Sequence, residues 1–209
     1  MKTNCSECEA ELATPLVCEA CGALQVCAES PTPFAVMGLE PGPVVDHAAL
    51  KKRLLELSRA MHPDFFGGAS EEQQQLAIDN TAELNSAFEL LSDDMARADW
   101  LVRSLGGPKE SDERQMPQAF LIEVMEWNEL LEEARDAEPG SKEHAAAHEL
   151  GATLENERKT IMQAVRDALT PLPESGSTAL IDIRKQMNAV RYVDRALAQL
   201  AELALEANH

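Results

Sequence analysis

The sequence predicts an all-α protein, and three observations carry that prediction. Apolar residues make up 44% of the chain but aromatics only 4%, so leucine and alanine must supply the core, a profile that favours packed helices over sheets. Long stretches repeat apolar residues at i, i+4 and i+7, the period of one buried helix face. Those stretches are punctuated at Gly106-Gly107-Pro108, at Pro139-Gly140 and across 171–177, where glycine and proline break helices.

Composition divides the 209 residues into a cysteine-bearing module at 1–29, a segment at 30–105 and a segment at 106–209. The formal net charge of −19 argues against a general nucleic-acid binder, which needs a broad basic face. It argues equally against docking on anionic membranes. The opening MKTNCSECEAEL has no apolar h-region and no arginine, unlike a secretory or organellar presequence. No apolar run approaches the roughly 20 residues that span a bilayer. A cytoplasmic protein is the expectation.

All five cysteines fall in the first 27 residues. Cys5-x2-Cys8 and Cys18-x2-Cys21 are two knuckles, each able to present a thiolate pair to one ion, and four thiolates close a tetrahedral shell around Zn²⁺. Such a closed shell leaves no open position, so the metal's role would be structural. A module this short cannot bury enough surface to fold alone, and metal binding supplies that free energy. Two disulfides or four free thiols are the alternative, and iron suits the same four-sulfur shell. Cys27 has no partner in this scheme. The module contains one lysine and no arginine, which counts against a nucleic-acid-binding zinc ribbon.

In the middle segment, a helix is predicted over 45–61 with Asp46 as N-cap. Leu50, Leu54, Leu57 and Met61 form its buried stripe. His62-Pro63-Asp64 ends it, because Pro63 cannot continue a helix and biases His62 out of the α region. A second helix follows over 70–91, capped by Ser70, with Ala77, Leu84, Phe88 and Leu91 inside; helical pattern resumes over 95–105. Proline and the glycines explain the turn, whereas His62 and Asp64 are not needed for turning. On the first helix, Lys51, Lys52 and Arg59 lie about 100° to 200° from Leu50. The stretch from Asp46 to Arg59 holds four basic against two acidic residues. A solvated face is the ordinary reading, but beside a rigid corner in an acidic chain it looks like a docking surface for an acidic partner.

Phe34-Ala-Val-Met37-Gly38-Leu39, the basic helix, His62-Pro63-Asp64 and Leu84-Asn85-Ser-Ala87-Phe88-x2-Leu91 together resemble a J-domain. That resemblance implies that His62, Pro63 and Asp64, with Lys51, Lys52 and Arg59, engage a DnaK-type chaperone and trigger its ATP hydrolysis. One departure is plain: Phe65 stands where the family usually has lysine or arginine.

The last segment predicts helices over 117–137, 142–169 and 178–207, most simply an antiparallel three-helix bundle. On the first of these, Phe120, Val124, Trp127, Leu130, Leu131 and Ala134 make a complete core face. Leu121, Ile122 and Met125 lie outside it, edged by Glu126, Glu129 and Glu133. Such a trio is either an exposed binding patch or a second buried side, and periodicity leaves both open. His144-x3-His148 pairs two imidazoles on one helix face, but Ala145 stands where a metalloprotease helix needs glutamate, and no third ligand is evident.

The stretches QAFLIEVMEWNELLEEARD, MARADWLVRSLGG and IRKQMNAVRYVDRALAQLAE resemble HscB-type co-chaperones of iron–sulfur cluster assembly. Cys18-Glu-Ala-Cys21-Gly-Ala-Leu-Gln25 is similar to the end of a four-cysteine extension found in part of that family. The resemblance implies a J-domain hairpin and a C-terminal bundle preceded by a zinc-ribbon-like module. It implies two partners, an HscA-like DnaK-type ATPase and an IscU-like scaffold, the latter bound through Leu121, Ile122, Met125, Glu126, Glu129, Glu133 and Tyr192. The chain would then be an adaptor without chemistry of its own. The rival is a J-protein serving a general DnaK-type chaperone with another client.

Overall fold

The computed structural model describes residues 4–27, 30–138 and 140–206. They form an all-α protein in two compact units, divided between Arg97 and Ala98. That division falls inside a helix, ahead of the Gly106-Gly107-Pro108 break on which the composition-based boundary rests. No described helix is long and apolar enough to cross a membrane.

The first unit begins with the cysteine module and continues through α1 (Pro33–Met37), α2 (His47–Ala60), a 3₁₀ turn (Pro63–Phe66) and α3 (Glu71–Ser92). Helix α1 is short and firmly bounded. Thr32 caps it by accepting from the Ala35 N–H at 3.1 Å, and Pro33 supplies a pre-set φ where an amide would go unused. Gly38 closes it in the left-handed region at φ 69°. A Cβ there would lie 2.8 Å from the Ala13 carbonyl oxygen, so glycine is required both by the backbone angle and by the close approach of the cysteine module. Asp46 caps α2 through the Ala48 and Ala49 amides at 2.8 and 3.1 Å. Ser70 caps α3 through the Gln73 amide at 3.3 Å.

Helices α1 and α2 both pack on α3, enclosing Phe34, Met37, Leu50, Leu57, Met61, Leu84 and Leu91. Leu54 and Phe88, expected in the buried stripes, are only half-buried. The covered face of α3 is centred nearer Asn80, Ala87 and Leu91, which puts Phe88 at its rim. Helix α4 (Asp94–Ser104) follows, and Arg97, 2% exposed, anchors its start by donating from Nε to the Pro43 carbonyl at 3.1 Å and from its other nitrogens to the Leu91 carbonyl and the Asp94 carboxylate.

The second unit is an antiparallel bundle of α5 (Gln118–Asp136), α6 (Lys142–Ala168) and α7 (Ala179–Glu206), each packed on the other two. Phe120, Val124, Trp127, Leu131 and Ala134 face inward from α5 as periodicity predicts; Leu130 lies at the rim of that face. Arg184 is fully buried, donating from Nε to the Pro108 carbonyl at 2.9 Å and pairing with Asp99 at 2.7 Å. A buried guanidinium is tolerated only with such partners, and these two fix α4 and the connection after it against α7.

Candidate functional site

The cysteine module is built from two equivalent turns. Cys5 N–H donates to the Ala10 carbonyl at 2.8 Å and Glu9 N–H to Cys5 at 3.0 Å. Cys18, Ala23 and Gly22 repeat the pattern at 2.9 and 2.8 Å. Two antiparallel bridges, Asn4 with Glu11 and Val17 with Leu24, flank the turns. Both turns need a left-handed residue, which is Gly22 at φ 77° in one and Glu9 at φ 61° in the other.

The turns bring the Sγ atoms of Cys5, Cys8, Cys18 and Cys21 within 4.8 Å of one another. Cys5–Cys21 is 3.7 Å and Cys8–Cys18 is 3.6 Å. A tetrahedron with metal–sulfur bonds of about 2.3 Å has edges of about 3.8 Å, so the spacing fits one ion. These distances are too long for S–S bonds, and the cysteines are free.

Acidity supports the same reading. The Glu7 amide, 3.4 Å from Cys5 Sγ, leads in holding that thiol below its ordinary value, at about 7. Against the Ala10 amide's opposing pull, the Cys21 and Cys18 thiols push Cys8 up to about 12. The upward push on Cys8 is the effect of sulfurs held this close together, each disfavouring ionisation of its neighbour. Four cysteines and no other ligand would hold a metal in a closed shell, where it supplies a structural cross-link.

This module is not a separate bead. Asn80 of α3, 5% exposed, donates from Nδ2 to the Leu16 carbonyl at 2.8 Å and the Gln25 carbonyl at 3.2 Å. Thr14 donates to the Val36 carbonyl at 2.8 Å, and Arg53 of α2 pairs with Glu19. Gln25 in turn points Nε2 at Cys5 Sγ, 3.5 Å away. Sequence reasoning missed Asn80 and Gln25; the available signal was a polar residue set among positions of the buried face.

At the corner, His62 caps the 3₁₀ turn, its Nδ1 accepting from the Asp64 N–H at 3.3 Å and lying 3.6 Å from the Asp64 carboxylate. Both side chains stand in solvent, at 52% and 87% exposure. Gln74 of α3 reaches back to the Gly67 and Ala69 carbonyls at 3.3 and 3.0 Å, tying the turn down. Phe65 is 74% exposed, its ring edge-on to His62 with centroids 6.1 Å apart. Lys51, Lys52 and Arg59 are all exposed on α2. Leu55, 50% exposed, sits among them at about 140° from Leu50, an apolar centre that the charge pattern had hidden.

On α5, Leu121, Ile122 and Met125 are exposed at 44%, 65% and 67%, so they do not form a second buried side. Glu126, Glu129 and Glu133 are exposed beside them. Tyr192 of α7 is joined to α5, accepting from Asn128 Nδ2 at 3.0 Å with its ring 6.4 Å from Phe120. His144 and His148 gather no third ligand; among the described residues the four cysteines are the one cluster of metal-ligating groups.

A basic-faced helical hairpin with an exposed His-Pro-Asp corner and a separate helical bundle define a J-protein type of co-chaperone. Comparison with known proteins makes this specific. A family model described as the HSCB C-terminal oligomerisation domain matches residues 116–201. A co-chaperone protein HscB homolog of Shewanella baltica is 35% identical over 140 residues, covering 66% of this chain and 78% of that one. The homolog of Mannheimia succiniciproducens is 36% identical over 108 residues, 51% of this chain and 62% of the relative's length. The crystal structure of human co-chaperone protein HscB superimposes with a TM-score of 0.74 at 24% identity, over 98% of this chain and 100% of that one. HscB from Vibrio cholerae gives a TM-score of 0.67 over 84% of this chain and 99% of its own. The chain belongs to the HscB co-chaperone family.

Proposed function

We propose that this chain is the adaptor of iron–sulfur cluster assembly, binding the scaffold protein and delivering it to an HscA-like DnaK-type chaperone whose ATPase it stimulates. In this reading residues 30–105 act as the J-domain, with His62, Pro63 and Asp64 docking the ATPase and Lys51, Lys52 and Arg59 guiding the encounter. Leu121, Ile122, Met125 and Tyr192, with Glu126, Glu129 and Glu133, receive the IscU-like scaffold. Residues 1–29 hold zinc at Cys5, Cys8, Cys18 and Cys21 as a structural clamp on the J-domain. The proposed site of action is the cytoplasm.

The observation that carries the reading is the exposure of two unlike surfaces on a chain of this family. One is a rigid charged corner and the other an apolar trio edged by carboxylates. Joining both partners through one chain raises the effective concentration of scaffold at the ATPase, while ATP hydrolysis occurs on the partner. The test has two halves. His62→Gln should abolish stimulation of the chaperone ATPase and leave folding intact; stimulation equal to the parent's would reject the docking role of the corner. Leu121→Ala with Met125→Ala should weaken scaffold binding and leave stimulation by the J-domain alone unchanged.

A further inference from the structure

Tyr192 has a second setting, which the scaffold-binding reading does not use. It lines a cavity of about 490 Å³ whose walls also include Glu110, Arg114, Asn188, Arg191 and Arg195. The cavity has fixed walls. Asn188, 8% exposed, donates from Nδ2 to the Glu113 carbonyl at 2.8 Å and the Gln115 carbonyl at 2.9 Å, clamping the backbone on either side of Arg114 to α7. The buried Arg184 holds the start of the same segment through Pro108. Arg191 is neutralised locally by Glu110, with Asp99 3.7 Å away.

Arg114 and Arg195 are different. Both are exposed, and neither has an ion-pair partner among the described residues, in a chain with 37 acidic side chains against 18 basic ones. A guanidinium left open in so acidic a protein is poised for a carboxylate from elsewhere, which it grips in two-pronged geometry. Tyr192 is at the same time bonded to Asn128 on α5, the helix that carries Leu121, Ile122 and Met125. The cavity therefore adjoins that helix's face through a shared side chain.

We propose that this cavity receives an aspartate or glutamate side chain of the protein docked on Leu121, Ile122 and Met125. The inference rests on the scaffold-binding reading and adds to it a polarity. The partner's basic groups would meet Glu126, Glu129 and Glu133 on α5, and its carboxylate would meet Arg114 and Arg195 beside α7. Opposite charges at two edges of one apolar patch fix the orientation of the docked protein more than its affinity.

The test uses the full chain with its metal bound and the scaffold protein from the same source. Arg114→Gln with Arg195→Gln should weaken scaffold binding about tenfold, with a shallower salt dependence, while thermal unfolding stays unchanged because both side chains are exposed and unpaired. In a second arm, acetyl-glutamate amide is titrated into the parent. It should shift the backbone amides of residues 191–195 saturably, and the arginine double variant should show no such shift. Unchanged scaffold affinity in the arginine variant overturns the proposal, even where the free probe binds, since that outcome describes a small-carboxylate site only. If Leu121→Ala with Met125→Ala leaves scaffold affinity intact while the arginine variant lowers it, the apolar patch reading fails and the cavity stands. If neither pair alters affinity, both readings fall.

Discussion

Asn80→Ala should loosen the metal, although Asn80 touches no cysteine. Its Nδ2 donates to two carbonyls of the cysteine module, those of Leu16 and Gln25. Removing it does not orphan both. The Leu16 carbonyl keeps the Gln25 N–H at 2.9 Å, whereas Asn80 is the donor described for the Gln25 carbonyl. One buried acceptor left without a partner costs about 1–3 kcal/mol. Because module and helix pack as one unit, that loss is shared with metal binding by linkage. A loss near 1.5 kcal/mol corresponds to about tenfold weaker affinity. Competition of the metal-loaded full chain against a chromophoric chelator reads this directly. Asn80→Asp sharpens the test, since it keeps the shape but sets a carboxylate against two carbonyl oxygens, and it should fall below the alanine variant. Affinity within twofold of the parent for both variants, or an aspartate variant tighter than alanine, would refute the clamp.

Further outcomes follow from the same geometry. Glu9→Gly should stabilise the metal-bound module by roughly 0.5 kcal/mol, because a non-glycine at positive φ costs about 1–2 kcal/mol and the gain is partly offset by the freer unfolded chain; Gly22→Ala should lose a comparable amount, both read by chelator competition. Complete metal removal should unfold the module and, through Asn80, raise amide exchange in α3 around residue 80, which exchange mass spectrometry would detect. Phe65→Lys should leave thermal stability within about 0.5 kcal/mol, as exposed substitutions do, yet lower ATPase stimulation of the cognate chaperone relative to a general DnaK-type one. Stimulation should also weaken with added salt, since Lys51, Lys52 and Arg59 are solvent-exposed and screened; a salt-independent effect would remove them from the docking surface.

Much of this fold is legible because its helices announce their own ends. Asp46 and Ser70 cap where side-chain chemistry says they should, and proline or glycine stops lie close after α2, α4 and α6. The cysteine spacing likewise translates into a tetrahedral set of sulfurs, since each knuckle is a local turn. What escaped the sequence is non-local. Nothing in the neighbourhood of Asn80 says that its partners lie near residues 16 and 25, and charge counting on α2 drew attention away from Leu55 at the centre of the basic arc. The exposure of Leu121, Ile122 and Met125 also could not be read from periodicity, because a second apolar stripe is equally compatible with burial. Only packing of the bundle around Phe120, Val124 and Trp127 shows which stripe is left over.

Charge placement gives these separate surfaces a common logic. A chain at −19 repels acidic proteins at long range, so any acidic contact must be made where basic residues are concentrated. Two such places stand out on this chain: the exposed face of α2 before the His62 corner, and the Arg114–Arg195 cavity beside Tyr192. Both combine exposed cations with an exposed or half-buried apolar side chain, Leu55 in the first and Tyr192 in the second. Apolar contact supplies most of the binding free energy at such sites, while the charges select orientation and speed of encounter. If that division holds, truncating Leu55 should slow nothing and shorten the complex's lifetime, whereas neutralising Lys51 and Lys52 should lower the association rate and spare dissociation. Stopped-flow mixing with the chaperone separates the two, and equal effects on both rates from either change would show that the face acts as an undivided patch.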